Sequence, residues 1–178
     1  MDTVPGPLSW AMPDELILRD ATADDAAAIA AVYNPYVADT IVTFEEEPVT
    51  AREMASRVAG VRGAGLPWLV ADTTQGVVGY ASAGAWRSRA AYRHSVEISA
   101  YLAPRARGRG VGAALYGELF QRMRAAGVHT VAAGIALPND ASVALHERAG
   151  MRKVAHFPEV GRKLGRWIDV GYWATVIR

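Results

Sequence analysis

Arg107-Gly108-Arg109-Gly110-Val111-Gly112 has the residue types and spacing needed to hold a pyrophosphate. The run lies between a strand-like and a helix-like stretch. A chain entering a helix leaves its first N–H groups without intrahelical partners, and they point outward with the positive end of the helix dipole. Phosphates bind well there, and glycine lets the backbone approach them without a Cβ in the way. Arg105, Arg107 and Arg109 concentrate positive charge in a chain whose formal net charge is only +1. By spacing alone the run is also readable as a plain turn before a helix. It is not a P-loop, because no Gly-x-x-x-x-Gly-Lys-Ser/Thr is present. Nor is it the dinucleotide fingerprint, which has another glycine spacing and sits in the first strand–helix unit.

The elements that must position this loop follow from periodicity and punctuation. Residues 16–19 read as a strand. Thr22 offers an N-cap, Asp24 and Asp25 stand in a first turn, and Ala26, Ile29, Ala30 and Tyr33 form an apolar stripe. Pro35 is expected to interrupt or end that helix. Residues 40–50 read as a loop or edge segment, and Thr50 caps a second helix running to about Arg62, stopped by Gly63 and Gly65. Strands are expected over 68–71, 76–85 and 94–103, with a polar and aromatic loop over 86–93. The third strand alternates, with Val96, Ile98, Ala100 and Leu102 on one face and Ser95, Glu97, Ser99 and Tyr101 on the other. Val111, Leu115, Leu119 and Met123 mark the helix after the glycine loop. A strand over 130–136, a short helix from Asn139 to Gly150, and strands near 153–157 and 169–177 complete a mixed α/β pattern.

Composition sets outer bounds. A chain of 178 residues, half of them apolar, suits one domain with a sizeable core. The near-neutral charge gives no broad attraction to nucleic acid or to an anionic membrane. The absence of cysteine removes disulfides, thiolate ligands and a cysteine nucleophile, and fits a cytoplasmic protein. No His/Asp/Glu cluster has metal-ligand spacing, so no metal is expected. Residues 1–14 carry Pro5, Pro7 and Pro13 but neither a basic n-region nor a long apolar run. They read as a flexible N-terminal extension rather than a signal peptide or anchor, leaving residues 15–178 as the domain.

At the glycine loop the sequence resembles the Gcn5-related N-acetyltransferase superfamily, whose signature Arg/Gln-x-x-Gly-x-Gly/Ala is matched by Arg107, Gly110 and Gly112. Asn139, Ala141, Ser142, Leu145, His146 and Ala149-Gly150-Met151 are similar to that family's downstream asparagine-containing helix. Within the superfamily the chain looks closest to the phosphinothricin and methionine sulfoximine acetyltransferases. That likeness is carried by Tyr33-Asn34-Pro35-Tyr36, Pro67-Trp68-Leu69-Val70-Ala71, Gly84-Ala85-Trp86-Arg87, Ala91-Tyr92, Val96-Glu97, Leu137-Pro138-Asn139-Asp140 and Gly165-Arg166-Trp167-Ile168-Asp169-Val170-Gly171. The resemblance implies a mixed, mostly antiparallel central sheet with helices on both faces and a splayed strand pair holding acetyl-coenzyme A. It implies that Ala100, Tyr101 and Leu102 pair with the pantetheine arm, that Gly108, Arg109, Gly110, Val111, Gly112 and Ala113 hold the pyrophosphate, and that Asn139 contacts the cofactor further along. It also implies a homodimer.

The implied chemistry is acetyl transfer to a small amine. The amine attacks only as the free base, and an α-amino group has a reference pKa of about 7.7–8.0, so a base must take its proton. Glu97 is the candidate base; the competing reading is a strand carboxylate in water or paired with an arginine. His146 is the second candidate. It stands where many superfamily members carry a tyrosine thought to protonate the thiolate, and its role is open between general acid, substrate orientation and an ordinary helix-surface histidine. Arg87, Arg89 and Arg93 suit carboxylate or phosphinate oxygens, Tyr92 suits a carbon chain, and Tyr36 and Phe44 are placed to close the site. Acetylation of protein N-termini or other amines, and a noncatalytic acetyl-coenzyme A-binding module, are the alternatives; Glu97 and His146 together argue against the latter.

Overall fold

The computed structural model describes residues 16–178, so the extension expected over residues 1–14 lies outside the described residues. In chain order the elements are β1 (Ile17–Asp20), α1 (Ala26–Asp39), α2 (Ala51–Gly63), β2 (Trp68–Thr73), β3 (Gly76–Ala85), β4 (Ser95–Leu102), α3 (Val111–Ala125), β5 (Thr130–Leu137), α4 (Asp140–Arg148), β6 (Arg152–Lys163) and β7 (Arg166–Val176). Short 3-10 turns precede α1, β4 and α3. Among the described residues the strands form one seven-stranded sheet in the order β1-β2-β3-β4-β5-β7-β6. Its neighbours run antiparallel except β4 and β5, which are parallel. That pair is brief: Ser95, Val96 and Glu97 face Thr130, Val131 and Ala132, and beyond them the strands part. The mostly antiparallel sheet and its splayed pair agree with the expected architecture.

Alternation along the strands sends side chains to two cores. Leu69 and Ala71 of β2 pack with Val111, Leu115, Leu119 and Met123 of α3, whereas Trp68 and Val70 pack with Ile29 and Tyr33 of α1 and Met54 and Val58 of α2. These helices therefore cover both faces, each held by an apolar stripe, and burial of each large side chain stabilises the fold by about 1.5–3 kcal/mol. No helix among the described residues is long and apolar enough to cross a membrane.

Two expectations are corrected. Pro35 does not end α1, which runs on to Asp39. Contacts on both sides hold the last turns: Asn34 exchanges two hydrogen bonds with the Val49 backbone, at 2.9 and 3.0 Å, and the Tyr36 hydroxyl donates to the Leu102 carbonyl at 2.6 Å. These outweigh the one backbone hydrogen bond that proline removes. The last two strands are also longer than their sequence suggests, because β6 continues to Lys163 through an irregular register between Phe157 and Gly161. Glu159 adopts a left-handed backbone there, and its N–H is taken by Asp169 Oδ1 at 2.8 Å.

The first strand is pinned by charge. Arg19 grips Asp25 with two hydrogen bonds, at 2.7 and 2.8 Å, and reaches Asp72 of β2 at 2.8 Å. The Arg19 guanidinium holds the Asp25 carboxyl down at about 2. A depressed carboxylate stabilises the fold above its ordinary pKa of 3.8, and that contribution fades as the pH falls toward 2. Asp25→Asn is expected to lower stability at neutral pH by about 1–2 kcal/mol, discounted for the partly exposed guanidinium. The loss should shrink between pH 4 and 2, where the wild type itself loses the interaction; urea denaturation across that range measures it.

Candidate active site

Gly110 caps α3 in the left-handed conformation, at φ 78°, and Gly108 before it is also left-handed, at φ 71°. Side-chain-bearing residues rarely adopt such angles, so glycine is required here. The first α-helical hydrogen bond runs from the Ala114 N–H to the Gly110 carbonyl at 3.0 Å. The N–H groups of Val111, Gly112 and Ala113 are thus left at the open end of the helix, with Arg107 and Arg109 exposed alongside.

Beyond Glu97, β4 loses β5 as a neighbour. Ala103 donates to Val78 on the β3 side, at 2.8 Å, and Leu102 turns its N–H and carbonyl the other way, where the Tyr36 hydroxyl meets both. Strand alternation turns the Ala100 peptide groups to the same open side. Tyr36, expected to close the site, is not among the residues lining the cavity beside Glu97. It stands at the far end of β4, with the Arg107 guanidinium 5.0 Å from its ring centre. The Tyr101 side chain joins an aromatic cluster with Tyr33, Tyr36 and Tyr80.

Glu97 sits on the last paired residue of β4, where the fork begins. It lines a cavity of about 790 Å³ together with Phe44, Arg87, Tyr92 and Tyr172. The rest of the wall is largely apolar, including Val42, Trp86, Val154, Phe157 and Val160. Burial raises the Glu97 pKa above the ordinary carboxylate value, while the Gly134 amide, the Arg87 charge and the Tyr172 hydroxyl pull it back. Phe44 is seated directly over Gly161, where any Cβ would overlap its ring. Arg89 does not line this cavity; it is exposed at the start of the short 3-10 turn over Ala90–Tyr92.

On the other side of the fork a narrower cleft is lined by Ser99, Ala100, Tyr101, Tyr116, Asn139 and His146. Asn139 caps α4, its side chain accepting from the Ser142 N–H at 3.2 Å. His146 is 5 % exposed, so it is not a helix-surface histidine. Its Nδ1 lies 2.7 Å from the Ser142 carbonyl and its Nε2 lies 2.9 Å from the Tyr116 hydroxyl. Burial lowers its pKa, with the Ser142 carbonyl opposing. Cavity and cleft share Val42, Gly134 and Ala136 as walls, which brings Glu97 and His146 to two sides of one junction.

Sequence reasoning gives no site role to Tyr116 or Gly134, and reads Tyr172, with Trp167 and Trp173, only as a core or interface aromatic. Tyr116 falls next to Leu115 in an apolar helix and reads as core. Gly134 gives no motif, yet a Cβ there would meet the Tyr172 ring at 3.2 Å and Glu97 Oε1 at 3.3 Å. Tyr172 comes opposite Gly134 through the register of β5 with β7, for which the sequence carries no signal. Among the described residues no His/Cys/Asp/Glu group could hold a metal ion.

Residues 18–171 match the family described as acetyltransferase (GNAT) domain. The chain is 37% identical over 173 residues to a phosphinothricin N-acetyltransferase of Streptomyces coelicolor, covering 89% of this chain and 95% of that protein. It is 40% identical over 159 residues to an L-methionine sulfoximine/L-methionine sulfone acetyltransferase of Pseudomonas aeruginosa, covering 87% and 91%. A crystal structure of a GNAT superfamily phosphinothricin acetyltransferase from Sinorhizobium meliloti in complex with AcCoA superposes with a TM-score of 0.87 at 40% identity, covering 91% of this chain and 88% of that one.

The balance of influences at Glu97 is measurable directly. Its carboxyl carbon, followed by NMR through a pH titration, is expected to titrate above the ordinary glutamate range of about 4.3. Arg87→Gln removes a nearby positive charge and should move the midpoint higher still. A wild-type midpoint at or below the ordinary value would contradict the burial inferred for this group.

Proposed function

The chain belongs to the GNAT acetyltransferase family, and on that premise we propose that it moves an acetyl group from acetyl-coenzyme A to the free amino group of a small amino acid or analogue, with Glu97 as the base. The observation that carries this reading is the position of Glu97 at the strand fork, facing a cavity with Arg87 and separated from the His146 cleft by Gly134.

The residues fit the cosubstrate. The N–H groups of Val111, Gly112 and Ala113, with Gly108, Arg109 and Gly110, would hold the pyrophosphate at the start of α3. Ala100 and Tyr101 would lie along the pantetheine arm, which can pair as an added strand. Leu102 already pairs with Tyr36, so in this conformation the pairing rests on Ala100. Asn139 lines the cleft at the start of α4. Acetyl-coenzyme A supplies the activated acyl group as a thioester.

The acceptor amine must arrive as, or become, the free base. Glu97 takes its proton directly or through one water, and its raised pKa makes it a better proton acceptor than a surface carboxylate. Arg87, in the same cavity, suits the acceptor's carboxylate, while Phe44 and Tyr92 suit its carbon chain. The absence of cysteine agrees with direct transfer, without an acyl-cysteine stage. The acceptors in the relatives' names, phosphinothricin and methionine sulfoximine or sulfone, are the first to test.

Release of free coenzyme A is expected with at least one of these amino acids, and turnover only with peptides would move the acceptor to protein N-termini. Glu97→Gln should lower kcat by about 10²–10⁴-fold. Wild-type activity should rise with pH through the elevated Glu97 pKa, because the ionised form is the base. Full activity of the variant at every pH would remove Glu97 from this role.

Homodimerisation belongs to the same reading. Phe157, Val160, Leu164 and Trp167 leave exposed apolar surface along the β6–β7 hairpin, as suits a second copy. Sedimentation equilibrium is expected to give the dimer mass; monomer alone at assay concentrations overturns it.

A further inference from the structure

We propose that Tyr116 is a positioning residue of the acetyl-transfer site: it holds His146 as a neutral imidazole protonated on Nδ1, so that Nε2 is a hydrogen-bond acceptor and not a proton donor. The placement of the pair in the transfer site rests on the function proposed above; the tautomer is a property of the protein alone.

The argument is one of donors and acceptors. A carbonyl oxygen only accepts, so the 2.7 Å approach of His146 Nδ1 to the Ser142 carbonyl puts a proton on Nδ1. A neutral ring has one N–H, which leaves Nε2 as a lone pair. The Tyr116 hydroxyl, 2.9 Å away, is then the donor. The two rings meet edge-on, with centroids 5.2 Å apart and planes at 77°. Tyr116 is only 2 % exposed, so water does not compete for its hydroxyl. Burial also raises its pKa far above the ordinary phenol value, so it keeps its proton.

Among the described residues no Asp, Glu, Lys or Arg lines this cleft. The cleft residues from β4 and β5 bring Tyr101 as their titratable side chain, and α3 brings Tyr116. On α4 itself, Glu147 is engaged by the Trp173 indole N–H of β7 at 3.3 Å, and Asp140 and Arg148 are exposed. With both ring nitrogens engaged, His146 presents no N–H to the cleft. A proton added at Nε2 would turn the Tyr116 hydroxyl away from the ring and into the cleft. Tyr116 is thereby a rotor with one setting toward His146 and a second toward an acceptor in the cleft.

The test uses the ligand-free protein with ¹⁵N-labelled histidine, the His146 signals being assigned by their loss in His146→Asn. Long-range ¹H–¹⁵N spectra at neutral pH are expected to show a pyrrole-type Nδ1 and a pyridine-type Nε2. In Tyr116→Phe the donor that favours the neutral ring is gone, so His146 should protonate at higher pH and its Nε2 signal should move. Turnover by that variant should fall several-fold in kcat with the KM for acetyl-coenzyme A unchanged. A protonated Nε2 in the wild type, or unchanged ring signals in Tyr116→Phe, would overturn the proposal. Should Tyr116→Phe fail to fold, the wild-type spectrum decides. Turnover with no amine at all would count against the proposed function and leave this spectrum as it stands.

Discussion

A parallel strand pair that stops after three residues leaves a row of backbone N–H and carbonyl groups without ladder partners. Buried and dry, each such group costs about 1–3 kcal/mol. Among the described residues this constraint is met at the Leu102 end, where the Tyr36 hydroxyl takes both polar groups of Leu102. Nearer Glu97 the fork is left for something that can complete it, and an amide-bearing chain laid beside β4 can do so. The rest of the sheet keeps the fork open. β3 pairs with β4 from Val96 to Leu102 and β7 pairs with β5 from Thr130 to Leu137, so neither strand can swing across to close the gap.

The same fork sets the electrostatics. Glu97 and His146 occupy opposite sides of it, and burial is the largest influence on both, raising the carboxyl pKa and lowering the imidazole pKa. Desolvation disfavours charge on either group. A carboxyl that holds a proton more firmly and an imidazole that holds one less firmly are thus two results of one cause, the closing of α3, α4 and β7 around a gap in the sheet. The charged side chain facing Glu97, Arg87, moderates that effect rather than cancelling it.

Much of this was legible because short-range rules governed it. Thr50 and Asn139 cap their helices as their types demand, and Gly108 and Gly110 take the left-handed angles that a tight helix entry requires. The alternation that put Glu97 and Val96 on opposite faces of β4 survives into the two-sided packing of the strand. What was illegible depended on contacts between distant segments. Pro35 reads as a break because local rules do not contain Val49 or Leu102. The sequence does not tell that α1 delivers Tyr36 to the end of β4, nor that Arg87 lines the cavity beside Glu97 while Arg89 does not.

Gly134 shows how such a contact can govern a site while carrying no chemistry of its own. It is the wall common to the Glu97 cavity and the His146 cleft, and the absence of a side chain lets the Tyr172 ring and the Glu97 carboxylate lie within 3.3 Å of where a Cβ would be. A methyl group there would press on both at once and thicken the partition between cavity and cleft, across which, on the function proposed above, acceptor and acyl group would meet. Reactions of bound partners lose rate steeply when the reacting atoms are held about 1 Å from their productive positions. The position is fixed by sheet register, through the pairing of Gly134 with Tyr172 on one side of β5 and the parting from β4 on the other. The glycine loop identifies where phosphates can be held; how closely the Glu97 cavity approaches the His146 cleft is decided at this residue, which no sequence motif marks.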